Sequence, residues 1–400
     1  MKGFFKSTLL NFAWLGIIFI PVTSYVLPFQ SKLVVWCFGD VVNLIIDDHL
    51  DFTSDTFGLN ILLIFLLLIA MLITALVRIT PYFVERKTQI ENLIRLIIFY
   101  YIASRMMVYG FDKIFKTQFY LPEPNIMYTD FGLLSKDILF WSVMGTSKWY
   151  CILSGIAEVI PAVLLLFKRT RIFGLCWMLL VLVHVLTINI GFDISVKLYT
   201  LFLLFLTLLL LSKHFSAIYT FFIRQENAKL QAVVSLLEGK SHFKKGLKFF
   251  AIGMIFIEAL KFPISTGYLS DDDFPRPSLH GAYSVVGANN LSGHFVEHPY
   301  LFERVFVHRD DYLIFQSGRV LDSYKMELDT IERVFRLTDN EFYGMNEIPY
   351  ELYKGESMDL MIYPGANFDT LWYQMIKLNY RELPVLQNDF HWTIDEFKND

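Results

Sequence analysis

Between Leu59 and Ile79 the chain reads LNILLIFLLLIAMLITALVRI, with Arg78 as its one charged residue. About 20 apolar residues are what a helix needs to cross roughly 30 Å of hydrocarbon. Inside hydrocarbon the backbone must satisfy its own polar groups, which leaves only helices and closed barrels as spanning structures. Similar runs occur at Leu9–Leu27, Ile90–Phe115, Trp149–Phe167, Ile172–Phe192 and Val196–Ser212. Leu247–Phe262 is a shorter seventh, with Glu258 and Lys261 near its end as interfacial anchors. The first run follows Lys2 and Lys6, but Pro21 interrupts it and no small-residue cleavage site follows. It therefore reads as a span, not a signal peptide. LVVWCFGDVVNLII, after it, reads as a segment leaning on the outer surface. Only 18% of residues are charged, where soluble domains carry about a quarter. An integral membrane protein with about seven spans is expected.

Charge divides the chain in two. From Tyr268 to the end there are 23 acidic and 11 basic residues, whereas the preceding part holds 16 acidic and 24 basic. This places a boundary near Pro263. Lys2 and Lys6, then Arg78, Arg86 and Lys87, then Lys168, Arg169 and Arg171, then Lys240, Lys244 and Lys245 fall on one side of the alternating spans. The acidic loop DDHLDFTSD and the GFDIS turn fall on the other. The positive-inside rule then sets the N-terminus in the cytoplasm and the acidic C-terminal part outside. Between them, residues 213–247 alternate apolar and charged positions at helical spacing, as an amphipathic segment on a membrane face does. Its basic residues suit anionic lipid headgroups, and nucleic acid is not expected as a partner.

After residue 264 the period changes. GAYSVVGA, LFERVFVHR, DYLIFQ, SYKMELD, ERVFRL, YELYK, MDLMIY and WYQMIKL are short β-rich runs. Turn signals such as Ser317-Gly318, Asp339-Asn340, Lys354-Gly355 and Pro364-Gly365 separate them. About eight strands on hairpin-length links predict an up-and-down barrel or a sandwich, and a barrel leaves no open edge.

Ionisable residues inside spans are expensive and usually face the bundle interior. Arg105, Asp112 and Lys113 lie in the third span, Glu158 in the fourth and His184 in the fifth. Asn189, Asp193 and Lys197 surround the next turn. Arg105, Tyr109, Asp112 and Lys113 recur at i, i+4 and i+7/i+8, so they present one polar stripe. Depth counting at about 1.5 Å per residue sets Arg105 level with Glu158 and close to His184. Asp112, Lys113, Asp193 and Lys197 would form a shallower layer. These groups either bind a ligand or handle protons, or they fix helix register and cap the turn.

Other chemistry has no visible motif. There is no P-loop, GxGxxG or nucleophile elbow. Cys37, Cys151 and Cys176 lack the paired spacing of disulfide exchange or metal binding. His280, His294, His298, His308 and His391 lack metal-ligand spacing, so no metal is expected. Asn290-Leu291-Ser292 has the form of a glycosylation sequon.

The series RMMVYGFDKIFKTQF, WSVMGTSKWY, SGIAEVIPAVLLLFKRTRIFG and NIGFDISVKLYT resembles the DoxX-like integral membrane proteins of bacterial envelopes, in their larger variants with additional spans. The resemblance covers about Arg95 to Leu211. It implies a four-helix membrane core at 90–212, preceded by a two-span region at 1–89. An amphipathic linker (213–247), a last span (248–263) and an extra-cytoplasmic β domain (264–400) would follow. FDTLWYQMIKLN and FHWTIDEF resemble the tail such variants carry, and Gly281-Ala282-Tyr283 is similar to the G-x-W opening of lipocalin-like barrels. The family implies a bacterial inner-membrane location and a link to quinone-pool or antioxidant redox enzymes.

Two functions follow as expectations. One is a ligand-binding subunit working with a separate redox partner: Arg105, Tyr109 and His184 would donate to a quinone carbonyl and Glu158 would relay a proton. The other is a non-enzymatic envelope protein whose barrel captures a partner or lipophile while the bundle anchors it. A transporter fits less well, because the spans show no internal repeat.

Overall fold

The computed structural model describes residues 2–21, 29–43, 52, 54–228, 242–290, 302–353, 357–362 and 370–387. The end of the first expected span, most of the DDHLDFTSD loop and linker residues 229–241 lie outside the described residues. So do Leu291 and Ser292 of the sequon, His294, His298, His391, the turns at Lys354-Gly355 and Pro364-Gly365, and FHWTIDEF. The chain divides into two units, Met1–Phe119 with Trp149–Asp271, and Tyr120–Lys148 with Asp272–Asp400.

The first unit is helical. Its elements are α1 (Lys2–Phe19), α2 (Gln30–Asn43), α3 (Phe57–Ile79) and α4 (Pro81–Ile114). After α5 (Pro124–Met127) and α6 (Lys136–Thr146), which belong to the other unit, come α7 (Lys148–Leu166), α8 (Arg171–Gly191) and α9 (Lys197–Leu211). α10 (Phe215–Phe222), α11 (His242–Ala259) and α12 (Lys261–Thr266) complete it.

Local chemistry sets these bounds. Thr56 Oγ1 accepts from Leu59 N to cap α3. Thr80, extended at φ −98° and ψ 110°, ends α3 and starts α4, as a residue before Pro81 must. α1 stops at Phe19, and Gln30 Nε2 donates to the orphan carbonyls of Ile17, Ile18 and Ile20 at 3.1, 3.0 and 2.6 Å.

α3, α4, α7 and α8 are long and apolar enough to cross a membrane, and α9 with α10 makes a fifth if that pair, bent by 78°, is one span. This is consistent with a membrane protein. Among the described residues that is four or five spans, where about seven are expected, for two reasons. The apolar part of α1, Gly3–Phe19, is short, and α11 carries Lys244, Lys245, Lys248 and Glu258. On α3, Leu59, Leu62, Leu66, Ala70 and Thr74 are buried. Its opposite face exposes Ile64, Leu67, Leu68, Met71, Leu72 and Leu76. A helix that is apolar all round suits hydrocarbon on its outer side.

α4 is the hub, packing against α1, α3, α9 and α11. α1 and α3 share polar contacts, Asn11 Nδ2 to Thr74 Oγ1 at 2.8 Å and Thr8 Oγ1 to Thr74 Oγ1 at 3.2 Å.

The second unit is a closed antiparallel barrel of β1 (Gly281–Asn290), β2 (Arg304–Val307), β3 (Tyr312–Ser317), β4 (Val320–Asp329), β5 (Val334–Leu337), β6 (Glu347–Tyr353), β7 (Ser357–Ile362) and β8 (Leu371–Leu378). Strands pair in chain order and β8 closes on β1, so every expected strand is present and the barrel, not the sandwich, is the form taken. Gly318 supplies the positive φ of 58° in the tight β3–β4 turn. Tyr283, at the G-x-W-like opening, is buried and donates to Leu279 O at 2.8 Å.

Eight strands enclose just enough room for side chains. Phe302, Phe315, Phe342 and Tyr373 pack there, with Phe315 and Phe342 stacked at 4.0 Å.

Tyr120–Lys148, expected within the membrane core, groups with the barrel. Tyr128 stacks on Phe306 at 6.2 Å and lies 5.3 Å from the Arg304 guanidinium. With Tyr128 it covers an outward cluster of Ala282, Phe306 and Ile314, all buried.

Candidate functional site

The polar residues of the third expected span all lie on α4, but their partners differ from the depth-counted ones. Arg105 Nη2 meets Glu258 Oε1 of α11 at 2.6 Å, and both are buried. Ser104 Oγ donates to Glu258 Oε2 at 3.3 Å. Lys113 Nζ donates to both oxygens of Glu158 on α7, at 2.9 and 2.8 Å. The expected Arg105–Glu158 pair is therefore replaced by two separate pairs. Glu258, read as an interfacial anchor, is a core carboxylate.

Helix crossing explains the shift. A Cβ on Gly155 would lie 2.4 Å from Gly110 O, and one on Gly110 would lie 2.8 Å from Gly155 O. α4 and α7 thus touch backbone to backbone at these glycines. Lys113 and Glu158 each follow their glycine by three residues, nearly one turn, so they meet beside the crossing. Arg105 lies eight residues before Lys113, about 12 Å along α4, where α11 supplies the carboxylate.

Beside Arg105, the Tyr101 and Tyr199 hydroxyls are 3.0 Å apart, linking α4 to α9. The Tyr109 ring meets Tyr199 edge-on at 6.3 Å. Tyr101, Tyr109, Tyr199, Ser104, Arg105 and Glu258 form the polar centre of the bundle. Tyr101, Ser104, Tyr199 and Glu258 are not among the residues the sequence singles out as site candidates. The helical spacing of Tyr101 with Arg105 and Tyr109, four residues apart each time, is a signal that could have found the first.

His184 does not join this centre, because it faces outward from α8. Asp112 belongs to the end of α4, its Oδ1 accepting from Thr117 Oγ1 at 3.0 Å. The expected shallow layer resolves into separate groups. Asn189 Nδ2 donates to Thr200 Oγ1 at 2.9 Å, tying α8 to α9. Lys197 Nζ bonds Asp193 Oδ1 at 2.8 Å, and Asp193 turns the chain with φ 53°. Asp55 accepts from the backbone of Lys197 and Leu198, both at 2.8 Å, which caps α9.

The barrel unit holds a second buried polar group. Glu123, from the segment packed on the barrel, meets His280 Nε2 at 2.8 Å and accepts from Arg309 N at 3.4 Å. Burial alone would raise the Glu123 carboxyl. The hydrogen bond from His280 and the charges of His280, His308 and Arg309 outweigh it and hold the carboxyl below its ordinary value. Burial, chiefly, pushes His308 down. An open polar cleft of about 700 Å³ adjoins, lined by Asp273, Arg276, His280, Lys377, Asn379 and Arg381 among others.

No family model and no solved structure matches the chain. Over 111 residues it is 31% identical to the uncharacterized protein YwoB of Bacillus subtilis (strain 168), a match that takes in 28% of this chain and 70% of that protein. On that similarity, the chain belongs to the family of YwoB.

Proposed function

We propose that this is a DoxX-like integral protein of a bacterial cytoplasmic membrane, with its barrel outside, that binds a quinone-class ligand as an accessory subunit of a redox system. The Tyr101–Tyr199 pair carries the reading. Two hydroxyls that bond each other use one O–H between them and leave the other proton to donate outward. A carbonyl oxygen is the complementary acceptor, and the apolar helices around it suit an isoprenoid tail. Such a ligand would bring two-electron redox chemistry. Arg105, held by Glu258, sets a positive group beside the hydroxyls. Tyr109, expected beside Arg105, is the neighbouring aromatic, and exposed His184 takes no part.

Organic extraction of protein purified from membranes, with assay of bound quinone, tests this. Quinone recovered in stoichiometric amount, and reduced by Tyr101→Phe, is the expected result. A quinone-free protein with no saturable quinone binding overturns it.

A second reading is favoured by a different observation: both buried cations of the stripe, Arg105 and Lys113, already have carboxylate partners. On it the bundle is an anchor whose charges specify packing, and the β domain binds a partner at its surface. The filled barrel interior leaves the polar cleft, not a lipophile pocket, as that surface. A double variant, Arg105→Met with Glu258→Leu, that folds and keeps full cellular function supports the anchor.

A further inference from the structure

The end of the bundle where α1 starts contains two buried polar side chains with nitrogens that have no hydrogen-bond partner among the described residues. Arg95, on α4, is 7% exposed, and none of its three guanidinium nitrogens has a hydrogen-bond partner among the described residues. His214, at the break between α9 and α10, is 5% exposed, and its Nδ1 is likewise without a partner. An unpaired buried guanidinium costs several kcal/mol by order of magnitude, unless an acceptor is supplied.

The surroundings are cationic. The charges of Arg95, Lys6 and Glu91 all act on half-buried Lys213, and those of Lys213 and Arg95 act on His214. Glu91 is the one carboxylate among them, and it lies 3.9 Å from Lys87. Arg171, fully buried, stacks over Phe99 one turn beyond Arg95 on α4, its guanidinium 4.6 Å from the ring centroid. Its Nε is engaged with Leu165 O at 2.9 Å.

Geometry selects the acceptor. Arg95 lies five residues into the apolar run that starts at Ile90, about 7–8 Å along the helix. Its long side chain can reach the headgroup layer from that depth. α10 turns 78° away from α9 immediately after His214, and exposes Phe215, Tyr219, Phe221 and Phe222. A short aromatic helix at nearly a right angle to an apolar one lies in the plane of the interface.

We propose that Arg95, Lys213 and His214 form a binding site for the phosphate of an anionic phospholipid. The proposal uses the membrane reading of the apolar helices but is independent of the quinone site. Arg95 would bind two phosphate oxygens through its planar fork, Lys213 would add a mobile cation, and His214 would contribute Nδ1 as a donor. This differs from diffuse attraction of a basic surface to a membrane, because two of the three groups are sealed from water.

The test is thermal stability of the detergent-solubilised full chain, titrated with phosphatidylglycerol, phosphatidylcholine or inorganic phosphate. The expected result is a saturable rise in Tm with phosphatidylglycerol alone. Arg95→Met should weaken that lipid by about tenfold or more, as the loss of charge-assisted hydrogen bonds to its phosphate requires, and Lys213→Met with His214→Phe should weaken it similarly. Equal stabilisation by the two lipids, or by free phosphate, overturns the proposal. So does an Arg95→Met protein that is more stable than the parent without lipid and responds to phosphatidylglycerol as the parent does. Should Arg95→Met not fold, the Lys213–His214 variant decides by the same readout.

Discussion

Gly110 of α4 and Gly155 of α7 lie so close that a Cβ on the second would come within 2.4 Å of the carbonyl oxygen of the first. The Lys113–Glu158 pair depends on this approach, since each partner sits three residues beyond its glycine. Gly155→Leu must therefore push the helices apart, and backbone cannot yield as a flexible side chain would. The expected cost is about 1–3 kcal/mol or more, seen as a lower Tm in detergent. An unchanged melting curve would mean that the helices do not cross there.

Lys113→Met leaves the Glu158 carboxylate buried and unpaired, and should destabilise by about 3–5 kcal/mol. Adding Glu158→Leu removes the orphan and should recover most of that loss. Thermal or chemical unfolding of the two single variants and the double variant gives the coupling directly. Additive losses would show that the two groups do not face each other.

The Glu123 and His308 shifts make the barrel unit sensitive to acid. His308 titrates lower in the fold than when unfolded, so the unfolded chain takes up the proton first and stability falls as pH drops below about 6.5. Glu123, also held down when folded, adds a second loss as pH falls through the region below its ordinary value. Near-ultraviolet circular dichroism of the full chain against pH should show both phases. Glu123→Gln should remove the lower one and leave the upper.

Phe306 points outward from the barrel yet is fully buried, because Tyr128 stacks on it. Phe306→Ala should cost about 3–5 kcal/mol, as much as Phe335→Ala at an interior position. A loss below about 0.5 kcal/mol, the usual surface value, would indicate that the 120–148 segment does not cover this face.

The barrel was legible in the sequence because alternating strands and turn residues report a local period. The apolar runs gave the helices for the same reason, since length and hydropathy are properties of one segment. Pairing partners are not. Arg105 was recognised as a costly charge, but its carboxylate comes from α11, 153 residues away and beyond a charged linker. Glu258 looked like an anchor because helix-end position and burial cannot be separated without the neighbouring helix. His184 is ambiguous by sequence for a similar reason: one polar residue in an apolar helix does not reveal which face the neighbours cover. Arg171 belongs by sequence to the basic flank and Arg95 is one charge near the start of an apolar run, and nothing local marks either as sealed in.

The order in which the chain is made gives the Tyr120–Lys148 segment an unusual history. Its contacts on the barrel reach across 157 residues from Glu123 to His280 and 186 to Arg309. At roughly 5–20 residues per second of synthesis, the segment leaves the ribosome about 8–30 s before β1 begins. Throughout that interval Tyr128 and Glu123 have no strand to rest on, while α7, α8 and α9 are still being delivered. Chaperone-crosslinking during translation, or degradation of chains truncated before residue 281, would find its target in this waiting stretch, long before any strand of the barrel could misfold.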